Sequence, residues 1–156
     1  PYATMVERKK KGYASVSFSG NQYAVDYIVS GASPEVKLHV FMPKVVQKKK
    51  APKANMYVNY YLGGDRDTLD FSVDGGEWQL MARKETYDPE LLLDVLAWDT
   101  AEDLLEGSRP SDPNMSSHIW VAPLPSNLPR GQHTVAFRIR DMFGRTHRTE
   151  RSYLIK

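Results

Sequence analysis

Apolar and polar residues alternate with period two along most of this chain. In "YASVSFSGNQYAVDYIV" two alternating runs flank "SGN", which predicts a β-hairpin with Val16 and Phe18 on one face and Ser15 and Ser17 on the other. "VKLHVFMP" predicts a third strand whose Val36, Leu38, Val40 and Met42 share a side, and Pro43 ends it. From Met56 the alternation sharpens through "MYVNYYL" and "TLDFSV", and "DGGEWQLMAR" adds a Gly-rich turn and a further strand. Leu69, Phe71 and Val73 point one way and Asp70 and Ser72 the other, the pattern of an antiparallel sheet with one face in water. "SHIWVAPLPSNLPRG" and "QHTVAFRIRD" give two more strands joined by a Pro-rich bend, with Val135, Phe137 and Ile139 as the inner row. "MFGR" then turns the chain into a last strand, "THRTERSYLI".

One segment breaks the series. In "YDPELLLDVLAWDTAEDLLEG", Asp88 can cap a helix and Pro89 suits its first position. Leu91, Val95 and Trp98 recur at helical spacing, as do Leu92 and Leu96, and Gly107 stops the run. The pattern predicts one helix over about residues 88–107, with a break near Asp99 as the alternative, laid against the edge of the sheets. Short strands at close spacing with turn signals between them predict an all-β, immunoglobulin-like antiparallel β-sandwich over residues 13–156 with that helical insertion. Residues 1–12, "PYATMVERKKKG", are basic and aperiodic and read as a linker or arm. No repeat of fixed period is present.

Composition narrows the function classes. A chain of 156 residues can bury a core without disulfides or metal. Net charge is +2, so no global field argues for a nucleic-acid partner. The absence of cysteine removes thiol catalysis and Cys-based metal sites. No apolar run is long enough to span a bilayer, and no signal peptide is visible. The chain opens at Pro1 without Met, which leads us to expect a piece of a longer protein. The loop at 44–53 belongs to "KVVQKKKAPKAN", which carries five lysines. It reads as a solvated loop before it reads as a phosphate-binding patch, because no aromatic lies within it to stack a base.

Candidate chemistry is thin. His39, His118, His133 and His147 show no chelating spacing, and "GGDRD" at 63–67 has the composition of a tight turn rather than of a metal element. There is no nucleophile elbow and no Gly-rich phosphate loop, whereas paired carboxylates for glycoside cleavage stay open. No catalytic, metal or cofactor residue is therefore expected in this chain. Two groups could meet a partner or ligand. Tyr57, Tyr60, Tyr61, Trp78, Trp98 and Trp120 could form a flat sugar-binding platform, or could be core packing and strand cover. Tyr57, Asn59 and Tyr61 share the face opposite Val58, Tyr60 and Leu62, which keeps a glycan-binding module in play. In "RIRDMFGRTHRT", Asp141 and Gly144 have the residue types of a hairpin turn, and Arg145, His147 and Arg148 follow it. That cluster reads as the wet side of a hairpin, with an anion or partner-domain contact as the functional alternative.

Several stretches together carry a resemblance. They are His118 with Trp120, "LPSNLPRGQH" at 124–133, "DMFGRT" at 141–146, "VDGGEWQLMAR", and "GYASVSFSGNQYAVDYIVSG". From about Gly12 onward the chain resembles the C-terminal domain of a bacterial calcineurin-like metallophosphoesterase family. The resemblance implies an accessory β-sandwich that follows a separate catalytic domain in an exported protein, periplasmic or at the cell surface. The metal ligands would belong to that catalytic domain. None of its ligand motifs occurs here, so no catalytic residue carries over. The implied partner is the catalytic phosphoesterase domain of the same polypeptide.

Overall fold

A computed structural model describes residues 12–156. Of the expected basic arm, residues 1–11 lie outside the described residues. Eight strands precede the helix: β1 (Gly12–Ser19), β2 (Gln22–Val29), β3 (Leu38–Phe41), β4 (Val45–Val46), β5 (Asn55–Tyr60), β6 (Thr68–Val73), β7 (Gln79–Leu80) and β8 (Ala82–Thr86). After α1 (Pro89–Asp99) come β9 (Ser116–Pro123), β10 (Gly131–Arg140) and β11 (Thr146–Ile155). The class is all-β, and the alternating runs become strands as their patterning requires.

Two sheets face each other. One has the order β4-β11-β10-β6-β7 and the other β3-β5-β9-β8. Their inner rows form one apolar cluster, in which Val40, Val58 and Trp120 of the four-stranded sheet share a core with Phe71, Phe137 and Tyr153 of the five-stranded one. Met81 is buried between β7 and β8, where the chain crosses from one sheet to the other, and its N–H is held by the Leu69 carbonyl at 2.9 Å. Tyr153 is buried up to its hydroxyl, which donates to the Pro125 carbonyl at 2.8 Å. Burial pushes that phenol up to about 12.

The sequence reading needs four corrections. First, the helix covers 89–99 rather than 88–107. Asp88 caps it as expected, its carboxylate accepting from the Glu90 N–H at 2.9 Å. At the other end Thr100 turns its hydroxyl back onto the Leu96 carbonyl, and the Arg109 guanidinium grips Asp99 and Asp112. Leu104 beyond that point is 95% exposed, so nothing rewards continuing the helix. Second, α1 begins over a sheet face, not an edge. Asn59 donates to Asp88 at 3.0 Å and His39 stands 3.1 Å from Glu90. Both project from the side opposite Val40 and Val58.

Third, the lysine loop exposes its lysines as a solvated loop would, but its backbone is stitched into the fold. Val45 and Val46 pair in parallel with Leu154 and Ile155, the Lys49 N–H donates to the Ser126 carbonyl, and the Ser126 hydroxyl donates to the Lys49 carbonyl. Fourth, the outer face of the five-stranded sheet is not simply bathed in water. Asp70 on that face is buried, gripped by Arg138 through two bonds and by Arg140 at 3.1 Å, while Trp78 lies 4.1 Å from the Arg138 guanidinium carbon. A carboxylate removed from water needs such charge-assisted partners.

His133 closes the Pro-rich bend. Its Nε2 faces the Pro129 carbonyl at 2.8 Å and its Nδ1 the Asp74 carboxylate at 2.6 Å. The carbonyl and the ionised carboxylate both accept, so this geometry favours the charged ring, in which both nitrogens donate. The hydrogen bond to Asp74 accordingly raises the histidine pKa and lowers that of the carboxylate. Asp74 also accepts from the Thr134 N–H at 2.9 Å.

Two predictions follow from this packing. Phe137 is completely buried, and Phe137→Ala should lower the unfolding free energy by about 3–5 kcal/mol in urea titrations. The stability difference between the native chain and His133→Gln should be greatest on the acid side of the ordinary histidine pKa of about 6.5. It should shrink as the pH rises through the elevated histidine pKa, because the charged ring is then lost. It should also shrink at low pH, as Asp74 is protonated on passing through its depressed pKa. Chemical denaturation across the pH range reads both limbs.

Candidate functional site

β1 and β2 form a two-stranded sheet of their own. Their register puts Val16 opposite Val25 and Phe18 opposite Tyr23, so one face of the hairpin is a continuous apolar row. The base of that row is covered: Tyr27 and Val29 pack with Tyr61 and the partly buried Val36. The far half is open. Between it and the β10–β11 turn runs a groove of about 580 Å³, lined by Phe18, Tyr23, Arg66, Met142, Phe143 and Arg145 among others. It continues into a smaller cavity of about 200 Å³ that reaches Asp26, Lys37, Tyr60 and Asp141.

A polar clamp forms the wall between hairpin and sandwich. Arg145 follows Gly144, whose φ of +79° allows the tight turn. Its Nε donates to Asp141 at 2.6 Å, while its two terminal nitrogens donate to Asp26 at 2.9 Å and to the Val25 carbonyl at 2.8 Å. Asp141 also accepts from the backbone N–H groups of Phe143 and Arg145. Lys37 donates to the other Asp26 oxygen at 3.0 Å. Burial alone would raise both carboxylate pKa values. The hydrogen bonds and charges of Lys37 and Arg145 at Asp26, and of Arg145 and the Phe143 N–H at Asp141, outweigh it and hold both below the usual range. Burial, with the nearby charges of Asp141 and Asp67, pushes the Tyr60 phenol well above its ordinary value.

Asp67 is spent on structure, accepting from the N–H groups of Gly64 and Met142. Gly63 beside it is a close-approach position: a Cβ there would lie 2.6 Å from Tyr60 and 2.7 Å from Trp120. "GGDRD" is thus a packed turn. The cations Lys37, Arg66 and Arg145 around the cavity are matched by Asp26, Asp67 and Asp141. Among the described residues no group of three or more His, Asp or Glu is placed to hold a metal ion.

The residues singled out from sequence scatter. Arg145 is the clamp. His147 sits on the inner side of β11, its ring 5.9 Å from that of Tyr60 and its Nε2 3.5 Å from Asp141, too long for a good hydrogen bond. Arg148 is exposed on the outer side, opposite Arg138. These three do not form one surface.

The sugar platform loses two of its members. Trp120 is 2% and Tyr61 6% exposed, both committed to apolar clusters. Trp78 is stacked by Arg138, and Tyr57 packs against Phe41 with ring centroids 6.3 Å apart. Trp78 keeps 38% of its surface exposed and Tyr57 is half-buried, on different sheets. What the sequence reading missed is the grouping of Asp26, Lys37 and Phe143 with Arg145. The alternating hairpin gave a signal for its apolar row, but nothing local in sequence links residue 26 to residue 145.

The clamp can be tested. Arg145→Met should cost about 2 kcal/mol in urea unfolding, since it leaves the buried Asp141 carboxylate short of its partner. Hydrogen exchange over residues 22–29 should quicken more than over β10. Arg145→Lys should recover less than half, because an ammonium cannot reproduce the three-way fork.

Comparison with known proteins places this arrangement. A family model described as the C terminal of calcineurin-like phosphoesterase matches residues 1–147. No curated protein matches. Among solved structures, CopC from Methylosinus trichosporium OB3b aligns at 12% identity over 76% of this chain and 94% of that one, with a TM-score of 0.33. A likeness that small fixes neither topology nor ligand. The family match spans nearly the whole length, including the hairpin, the clamp and the Pro-rich bend, and the chain therefore belongs to the family of C-terminal domains of calcineurin-like phosphoesterases.

Proposed function

We propose that this chain is a non-catalytic accessory module of an exported, metal-dependent phosphoesterase. It packs against the catalytic domain of the same polypeptide or shapes the entrance to that domain's active site. The carrying observation is the family match over residues 1–147. The ion pairs of Asp26, Asp141 and Arg145 beside the groove agree with a structural role for those three residues. Export is supported by the family resemblance. An immunoglobulin-like reading of the sandwich is supported by strand order. Taking β3, β5, β6, β8, β9, β10 and β11 as first to seventh, the sheets divide as first-second-fifth-fourth and third-sixth-seventh. That is how constant-type immunoglobulin domains divide their strands.

The test uses the full polypeptide, this chain alone, and the polypeptide truncated before Gly12. With Mn²⁺ or Zn²⁺ present, the full polypeptide should hydrolyse a phosphoester and this chain should not. Truncation should change KM or thermal stability, and limited proteolysis of the intact protein should spare the junction. Tight binding of two metal ions with turnover by this chain would sink the non-catalytic reading. Unchanged kinetics after truncation, with no association of the separated halves, would sink the packing.

A further inference from the structure

The β1–β2 hairpin carries two features that a finished surface avoids. Its apolar row ends in the open: Phe18 is 79%, Tyr23 51% and Val16 49% exposed. β1 also presents a bare edge. Among the described residues it pairs with β2 alone, and the sequence of that strand, GYASVSFS, contains no charge and no proline. Edge strands left to solvent are normally blunted by charge, proline or a bulge, because unpaired N–H and C=O groups recruit another strand. A two-stranded sheet by itself is marginal in water. Here the clamp of Arg145 and Lys37 on Asp26 holds it up against the sandwich.

We propose that this hairpin, through its apolar tip and its β1 edge, is the surface on which the catalytic domain of the same polypeptide docks. The inference rests on the accessory-module reading above and adds the place of contact. Three observations select that occupant. The family description makes this the C-terminal domain, so the catalytic domain precedes it in the chain and joins it on the β1 side. β1 is eight residues long, so its tip lies only about 26 Å from its start. A domain tethered there meets the hairpin at an effective concentration on the order of millimolar, well above that of a second copy in dilute solution. The leucines of α1, Leu92, Leu93 and Leu96, are exposed too, but nothing ties that stripe to the preceding domain.

The geometry also fits docking energetically. A loose hairpin would lose its conformational freedom on association, and the clamp has already removed most of it. The groove beside the tip, with Phe143 edge-on to Tyr23 at 5.7 Å, gives an inserted side chain an aromatic wall.

The experiment places a photoactivatable benzophenone amino acid at Phe18, or at Leu96, in the full polypeptide. Cross-links are mapped by mass spectrometry at low micromolar protein. The expected result is an intramolecular cross-link from position 18 to the catalytic domain, reduced at least about tenfold by Val16→Asp, with none from position 96. A cross-link from position 96 but not 18 overturns this proposal while leaving the packing reading standing. Cross-links from position 18 only between two copies overturn it in favour of self-association through β1. Cross-links from neither position overturn this proposal and leave the packing reading to the truncation kinetics.

Discussion

The guanidinium of Arg145 is shared between two bodies that would otherwise meet only through a small apolar contact. On the sandwich side it satisfies Asp141, whose side chain is almost wholly removed from water. On the hairpin side it satisfies Asp26 and the Val25 carbonyl. Each partner depends on the other. Without Asp141 the arginine has no fixed direction, and without Arg145 a buried carboxylate is left with backbone donors alone. Lys37 adds a second cation on Asp26, and the short contact of Tyr27 with Tyr61 excludes water beneath. The orientation of the hairpin is thus set by charge geometry more than by buried area. Directional bonds fix an angle, which an apolar patch of that size does not.

The same economy runs through the stretches that made the family resemblance visible. Asp74 of "VDGGEW" and His133 of the Pro-rich bend lie 59 residues apart in sequence and join as one ion pair. Trp78 of that first stretch covers Arg138, which holds Asp70. Trp120 leans on the turn at Gly63, whose carbonyl meets the His118 ring. Asp141 and Gly144 shape the turn that aims Arg145. These residues are joints between distant strands, and their chemistry is used up in joining. The histidines and acids of the motifs thus serve as joints of the architecture.

Much of the fold was legible because period-two alternation states which side of a strand is buried. β10 follows it closely, whereas β5 and β6 are buried on both faces, and Asp88–Pro89 marked the start of the helix. The end of the helix was not legible: Leu104 and Leu105 continue the apolar spacing, but no surface receives them. The lysine loop hid β4, because a two-residue strand has no period to detect. For Trp120 and Tyr61 the core-packing reading holds. Alternation put Tyr61 on the outer row of β5, yet the hairpin base folds over that spot and buries it against Tyr27. A local pattern cannot report a third layer supplied by residues more than 30 positions away.

That third layer matters for how the module works. A sandwich whose core is complete has no structural need of the hairpin, since Phe71, Phe137 and Trp120 bury one another without it. The hairpin takes its support from the sandwich and returns cover to Tyr61, an aromatic neighbour to Phe143 and two acceptors to Arg145. An element that leaves Phe18 in water, and is nevertheless held by two cations and two carboxylates, is best understood by what its free side does. Flexible arms can wrap a partner, but they lose conformational entropy when they do so. A clamped hairpin loses less and accepts only partners of the right shape. In a polypeptide whose neighbouring domain is tethered, concentration is supplied by the chain, so the remaining requirement is orientation, and the Arg145 fork is the group that sets it.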